Sequence, residues 1–273
     1  MKNQGGYMAN IYIVRDRVKN FVLTSFFNDK TIGSKEGEEQ VVFYISGAAS
    51  EKERDDARLY TYKAVDNSVE LWIQEKRYFP RLLVCALTFL VVYFFMSLVI
   101  RDPIPMLDEL VGSTIATVAM WYYISKKDKK GPITNKKKLE IKREVGNAEF
   151  KELEGLSIIE SYLDNLRSLE NIDLSDRLLN VDNINLDELK FDDMDDSFIS
   201  QLRTYFNQYV FTLKPEMKKY FNLVESIRLE NKSDEALSSK LVQLDRDAKI
   251  DLPLLTLLIV LKEYRMKTSG FLD

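Results

Sequence analysis

Leu82 to Ile100 reads LLVCALTFLVVYFFMSLVI, nineteen residues without a charge. As an α-helix it measures about 28 Å, close to the thickness of a bilayer's hydrocarbon core. Helices of soluble domains seldom lack a polar face over that length, so the stretch predicts a transmembrane span. A second uncharged run, Leu110 to Ser125, has sixteen residues. Counted back to Ile104 it reaches spanning length, with Asp108 and Glu109 at headgroup level near one end. Trp121, Tyr122 and Tyr123 lie at the other end, where amphipathic aromatics favour the interface. Between the runs, Pro103 and Pro105 interrupt a continuous helix and suit a tight reversal. The expected fold is a mainly α membrane protein built on a two-helix transmembrane hairpin, residues 79–125, with spans of about 82–100 and 104–125.

Basic residues orient that hairpin. Lys76, Arg77 and Arg81 precede the first span. Lys126, Lys127, Lys129 and Lys130 follow the second, with Lys136, Lys137 and Lys138 close behind, whereas the connecting loop carries only Arg101. The positive-inside rule then places both termini in the cytoplasm. MKNQGGYMAN lacks the apolar core of a cleavable signal peptide, so the first span is expected to direct its own insertion.

Composition narrows the chemistry. Among 273 residues there are 39 basic and 43 acidic side chains, no histidine and one cysteine. Lack of histidine removes His-dependent triads, His/Cys zinc sites and imidazole switches. Cys85 alone forms neither an intrachain disulfide nor a CxxC centre. A net charge of -4 gives no general attraction to nucleic acid. No enzyme activity, cofactor or resident metal is expected.

Residues 1–78 are expected to form a small α/β or β-containing cytoplasmic region. IYIV (Ile11 to Val14), FVLTSFF (Phe21 to Phe27) and VVFYIS (Val41 to Ser46) have strand composition. After GAAS, Ser50 and Glu53 form a capping box that starts a helix running towards Pro80 and into the first span. Ala57, Tyr60, Ala64, Leu71 and Trp72 are placed near one face of that helix. GAAS lacks the GxGxxG and GxxxxGK[ST] patterns that cradle phosphates. Only about 30 residues separate it from the membrane, too few for the two further βα units of a TIR-like sheet.

Residues 126–143 read as a basic juxtamembrane linker, and residues 144–273 as an all-α cytoplasmic helical bundle. From Leu139 onward there are 18 basic and 27 acidic residues with helical periodicity throughout. Ser157 with Glu160 suggests a second capping box, followed by Ile159, Tyr162, Leu163, Leu166 and Leu169. Phe198, Leu202, Tyr205, Phe206, Tyr209 and Leu213 line a helix ending before Pro215, which opens the next with Met217, Tyr220, Phe221, Val224 and Ile227 buried. Ser233 starts another, carrying Leu237, Leu241 and Leu244. Leu252 to Leu261 is too short to span and reads as the central helix of the bundle, beginning at Pro253 and capped at Gly270. The acidic run Asp182 to Asp196 lacks the glycine and ligand order of a calcium loop and reads as a solvated linker.

Three groups carry functional expectations. Gly112, Ser113, Ala116 and Thr117 form a small and hydroxylated stripe, suited to packing on the first span, to contact between copies, or to lining a pore. Asp108 and Glu109 would form an acidic outer mouth if hairpins assembled. Lys126, Lys127, Lys129, Lys130, Lys136, Lys137 and Lys138 would contact anionic lipid headgroups. The expected function is a non-enzymatic membrane protein that self-associates through its hairpin, a channel-like or membrane-perturbing effector or sensor. The alternative is a tethered adaptor recruiting a cytoplasmic partner, protein or small molecule, through its helical tail. In layout alone, such hairpins with cytoplasmic helical domains resemble small bacterial membrane effectors and sensors.

Overall fold

The computed structural model describes residues 9–26, 32, 41–99, 107–179, 196–229 and 235–268. These fall into two compact units. One holds Phe26, Ile32 and the described part of 58–147; the other holds 9–25, 41–57 and the described part of 148–268. Most of the described chain is helical.

The second unit is built on a four-stranded mixed sheet of order β2-β1-β3-β4. Strand β1 (Ala9–Val14) pairs antiparallel with β2 (Phe21–Thr24) and parallel with β3 (Val41–Ile45). Both central strands are buried on each face, which explains their near-continuous apolar composition. The fourth strand, β4 (Glu149–Glu152), runs parallel to β3 with Phe43 opposite Phe150. It corrects two expectations: residues 144–273 are not all-α, and the N-terminal strands share their sheet with a segment more than a hundred residues downstream. A parallel neighbour requires a crossover, and here the crossover is the whole helical excursion between β3 and β4.

That excursion begins with α1 (Glu51–Lys76). Its capping box forms as read: Glu53 N–H donates to Ser50 Oγ (3.3 Å), and Ser50 N–H donates to Glu53 Oε2 (2.9 Å). The buried stripe is Ala57, Thr61, Ala64, Val65, Ser68, Val69 and Ile73. Leu71 is exposed, so the apolar face expected from Ala57, Tyr60, Ala64, Leu71 and Trp72 was rotated; Thr61 and Ser68 occupy core positions that composition alone assigns to solvent. Only Arg77 separates α1 from α2 (Tyr78–Val99), and Pro80 sits in the first turn of α2, where its missing N–H costs nothing. Helix α3 (Leu107–Lys129) runs antiparallel beside α2, and α4 (Pro132–Gly146) follows after Lys130 and Gly131. Residues 126–143 are therefore the end of one helix and most of another. Of these helices, Tyr78–Val99 alone is long and apolar enough to cross a membrane, with a mean hydropathy of 2.6. Pro103 and Pro105 lie outside the described residues.

In the second unit, α5 (Gly155–Ser168), α6 (Asn171–Leu179), α7 (Asp196–Leu213), α8 (Pro215–Leu229) and α9 (Glu235–Arg246) surround α10 (Leu252–Thr268). Every residue from Leu252 to Leu261 is buried, as a central helix requires, and Pro215 opens α8 at its first position. The second capping box does not form. Glu154 caps α5 and takes the Ser157 hydroxyl on its carbonyl (2.5 Å), while Glu160 turns to the sheet. The acidic run up to Asp195, the Ser233 start and the Gly270 cap lie outside the described residues; Asp196 is the first residue of α7.

Candidate functional site

The α2–α3 pair brings the expected hairpin residues together along one seam. An added Cβ at Gly112 would lie 3.2 Å from Met96 Cε, the Cys85 thiol lies 4.0 Å from the Thr117 carbonyl, and Tyr78 meets Trp121 edge to face at 5.7 Å. Ser113 is fully buried, with its hydroxyl on the Glu109 carbonyl (2.5 Å). Thr117 returns its hydroxyl to the Ser113 carbonyl at 2.7 Å. Small residues let the backbones approach, and each hydroxyl is satisfied within its own helix. Gly112, Ser113 and Thr117 are thus engaged within the chain; Ala116, one turn from Gly112, is half-buried. Asp108 is exposed, whereas Glu109 is buried, so the two carboxylates face different surroundings.

At the other end of the pair, Asp128 is the hub. Its carboxylate accepts Arg77 Nη1 at 2.7 Å on one oxygen and Arg81 Nε at 2.8 Å on the other. The Arg81 Nη2 group also donates to the Ile73 carbonyl (3.3 Å). Beyond this, α1 and α4 continue antiparallel. Lys138 donates to Glu70 at 2.9 Å and Lys142 to Asp66 at 2.7 Å, while Lys129 approaches Glu70 at 3.3 Å. Lys138 and Lys129 hold the Glu70 carboxyl below its usual range. The expected lipid-facing lysines therefore divide. Lys129 and Lys138 are turned to α1, and Lys137 pairs with Glu140 (3.5 Å). Lys126, Lys127, Lys130 and Lys136 are exposed and have no carboxylate partner among the described residues.

Sequence reasoning missed the acidic side of this arrangement. Asp66 and Glu70 lie one turn apart on α1, as do Lys138 and Lys142 on α4, and antiparallel packing makes the two pairs face each other. That spacing was the available signal.

A second polar cluster sits at the carboxyl ends of β1 and β3. Arg15 is held by Glu53 (2.8 Å), Ser46 Oγ (3.1 Å) and the Ala48 carbonyl (2.9 Å), and its own N–H donates to Glu160 Oε1 (2.8 Å). Ser46 donates to the other Glu160 oxygen. The Arg15 guanidinium pulls the Glu53 carboxyl down to about 2, whereas burial pushes Glu160 up. Arg15 has all its nitrogens engaged, so the cluster fastens α1 and α5 to the strand ends. Among the described residues no group of His, Cys, Asp or Glu is arranged to hold a metal ion.

No protein family, curated protein or solved structure matches this chain.

Proposed function

We propose that this chain is an integral membrane protein in which α2 and α3 together cross the bilayer with both termini cytoplasmic. In this reading it is a non-enzymatic tether, whose module of sheet and helices recruits a cytoplasmic protein or small molecule. The observation that carries the membrane reading is the outward face of α2. Leu83, Leu87, Leu90, Val91, Phe94, Phe95 and Leu98 are each at least half exposed, a continuous apolar surface over the full helix that water would penalise and lipid would cover. Helix α3 adds Leu110, Val111, Ile115 and Val118 on its outer side.

The tether is preferred to the channel-like reading because the small-residue seam faces α2 within one chain, and the hydroxyls of Thr88 and Thr114 return to their own helices at 2.8 and 2.7 Å. These are poor materials for a polar conduit. Self-association retains one observation in its favour, the exposed Asp108 at the start of α3.

The membrane reading is tested by washing membranes with alkaline carbonate: the chain is expected in the pellet, and its release into the supernatant would overturn the proposal. Purified protein in liposomes separates the two functions. The tether predicts monomers and no ion leak; a leak that tracks assembly would replace it with the channel-like function.

A further inference from the structure

We infer that Lys126, Lys127, Lys130 and Lys136, and not the other basic residues around them, form a binding surface for anionic phospholipid headgroups. The inference rests on the membrane reading above. Tyr78 and Trp121, packed edge to face, mark the level at which the apolar surface of the pair ends, and Tyr122 and Tyr123 beside them are exposed. Lys126 and Lys127 in the last turns of α3, and Lys130 just after its end, are exposed and follow within three turns' length of Trp121, which puts their ammonium groups near the depth of lipid phosphates.

Among the lysines of residues 126–142, charge pairing separates these four from Lys129, Lys137, Lys138 and Lys142. Asp128 takes Arg77 and Arg81, Glu70 takes Lys129 and Lys138, and Asp66 takes Lys142. Asp66 and Glu70 are on α1 and Asp128 is buried at the end of α3, and none of the three pairs with Lys126, Lys127, Lys130 or Lys136. The five cations on the paired side thus share three carboxylates, whereas the exposed side keeps its full positive charge. A surface that needed charge only to set topology would have no reason to segregate it; segregation leaves four ammonium groups facing outward, Lys126, Lys127 and Lys130 near headgroup depth and Lys136 beyond them on α4.

The test uses the full chain with Trp72→Phe, which leaves Trp121 as the sole tryptophan of two. The protein is placed in vesicles whose brominated acyl chains quench nearby indole. Brominated phosphatidylglycerol is expected to associate with Trp121 more strongly than brominated phosphatidylcholine, by on the order of fivefold or more at low salt, as four lysines near the surface allow. Replacing all four lysines with glutamine should bring the ratio to about one, while Lys129→Gln with Lys138→Gln should leave it raised. Molar salt should abolish the preference in the unmodified four-lysine protein, a readout that does not depend on any variant folding. Inorganic phosphate at matched ionic strength should not compete, since the surface is a lipid site and not a free-anion site. Equal quenching by both lipids overturns this inference and leaves the membrane reading standing. No quenching by either overturns both.

Discussion

The Arg81 guanidinium and the Asp128 carboxylate meet at 2.8 Å with side chains only 3% and 5% exposed. A charge so placed is costly unless its partner is exact, and Asp128 spends its second oxygen on Arg77. The pair ties the first turn of α2 to the last turn of α3 and sets their relative register where the apolar surface begins.

Removing one member leaves the other buried and uncompensated. Arg81→Met should lower stability by about 3 kcal/mol, and Asp128→Leu by a comparable amount. The double substitution should cost clearly less than the sum. Thermal unfolding of the detergent-solubilised variants reads the cycle; strict additivity would show that the two groups do not interact.

Helix α9 ends in a Schellman arrangement: Lys249 N–H reaches the Leu244 carbonyl (3.0 Å) and Ala248 N–H the Asp245 carbonyl (2.9 Å). Ala248 holds φ 53, a conformation that glycine adopts without a Cβ penalty. Ala248→Gly should therefore stabilise the protein by about 1 kcal/mol. A fall in the unfolding midpoint would contradict this account.

Glu53 supplies a pH dependence of known sign. Its carboxyl is lowered from 4.5 to about 2, chiefly by the Arg15 hydrogen bond, so its contribution is complete above the unfolded value and is lost as pH falls through the folded one. Stability measured against pH should drop between about 4.5 and 2, and Glu53→Gln should flatten that limb. An unchanged acid limb in the variant would mean that the Arg15 contact is not maintained.

Close approach of α2 and α3 depends on Gly112. An added methyl meets only the end of Met96, at 3.2 Å, which can move, so Gly112→Ala should be nearly neutral. Gly112→Leu must separate the helices and should cost about 1–3 kcal/mol, read as a lower unfolding midpoint. Equal tolerance of both would place this seam elsewhere.

Much of the architecture is written locally. The three N-terminal strands, the Ser50–Glu53 start of α1, the Pro215 start of α8 and the buried run Leu252 to Leu261 all follow from composition, capping chemistry and periodicity within a few residues. The buried face of α1 is not legible locally, because Thr61 and Ser68 are buried there, Ser68 donating to the Phe26 carbonyl, a partner remote in sequence. Glu160 likewise reads as a capping residue until Arg15 and Ser46 are found beside it.

What the amino-acid order determines by itself is where the long apolar run, the first three strands and most of the helices lie, since those depend on hydrophobic runs and on groups within a turn of one another. Only the tertiary structure decided that β4 completes a sheet begun on the far side of the helical excursion, that Asp128 gathers two arginines, and which lysines are left facing outward. Each of those outcomes depends on the pairing of segments distant in the chain, and a short charged strand or a lone carboxylate carries no local mark of the partner it will meet.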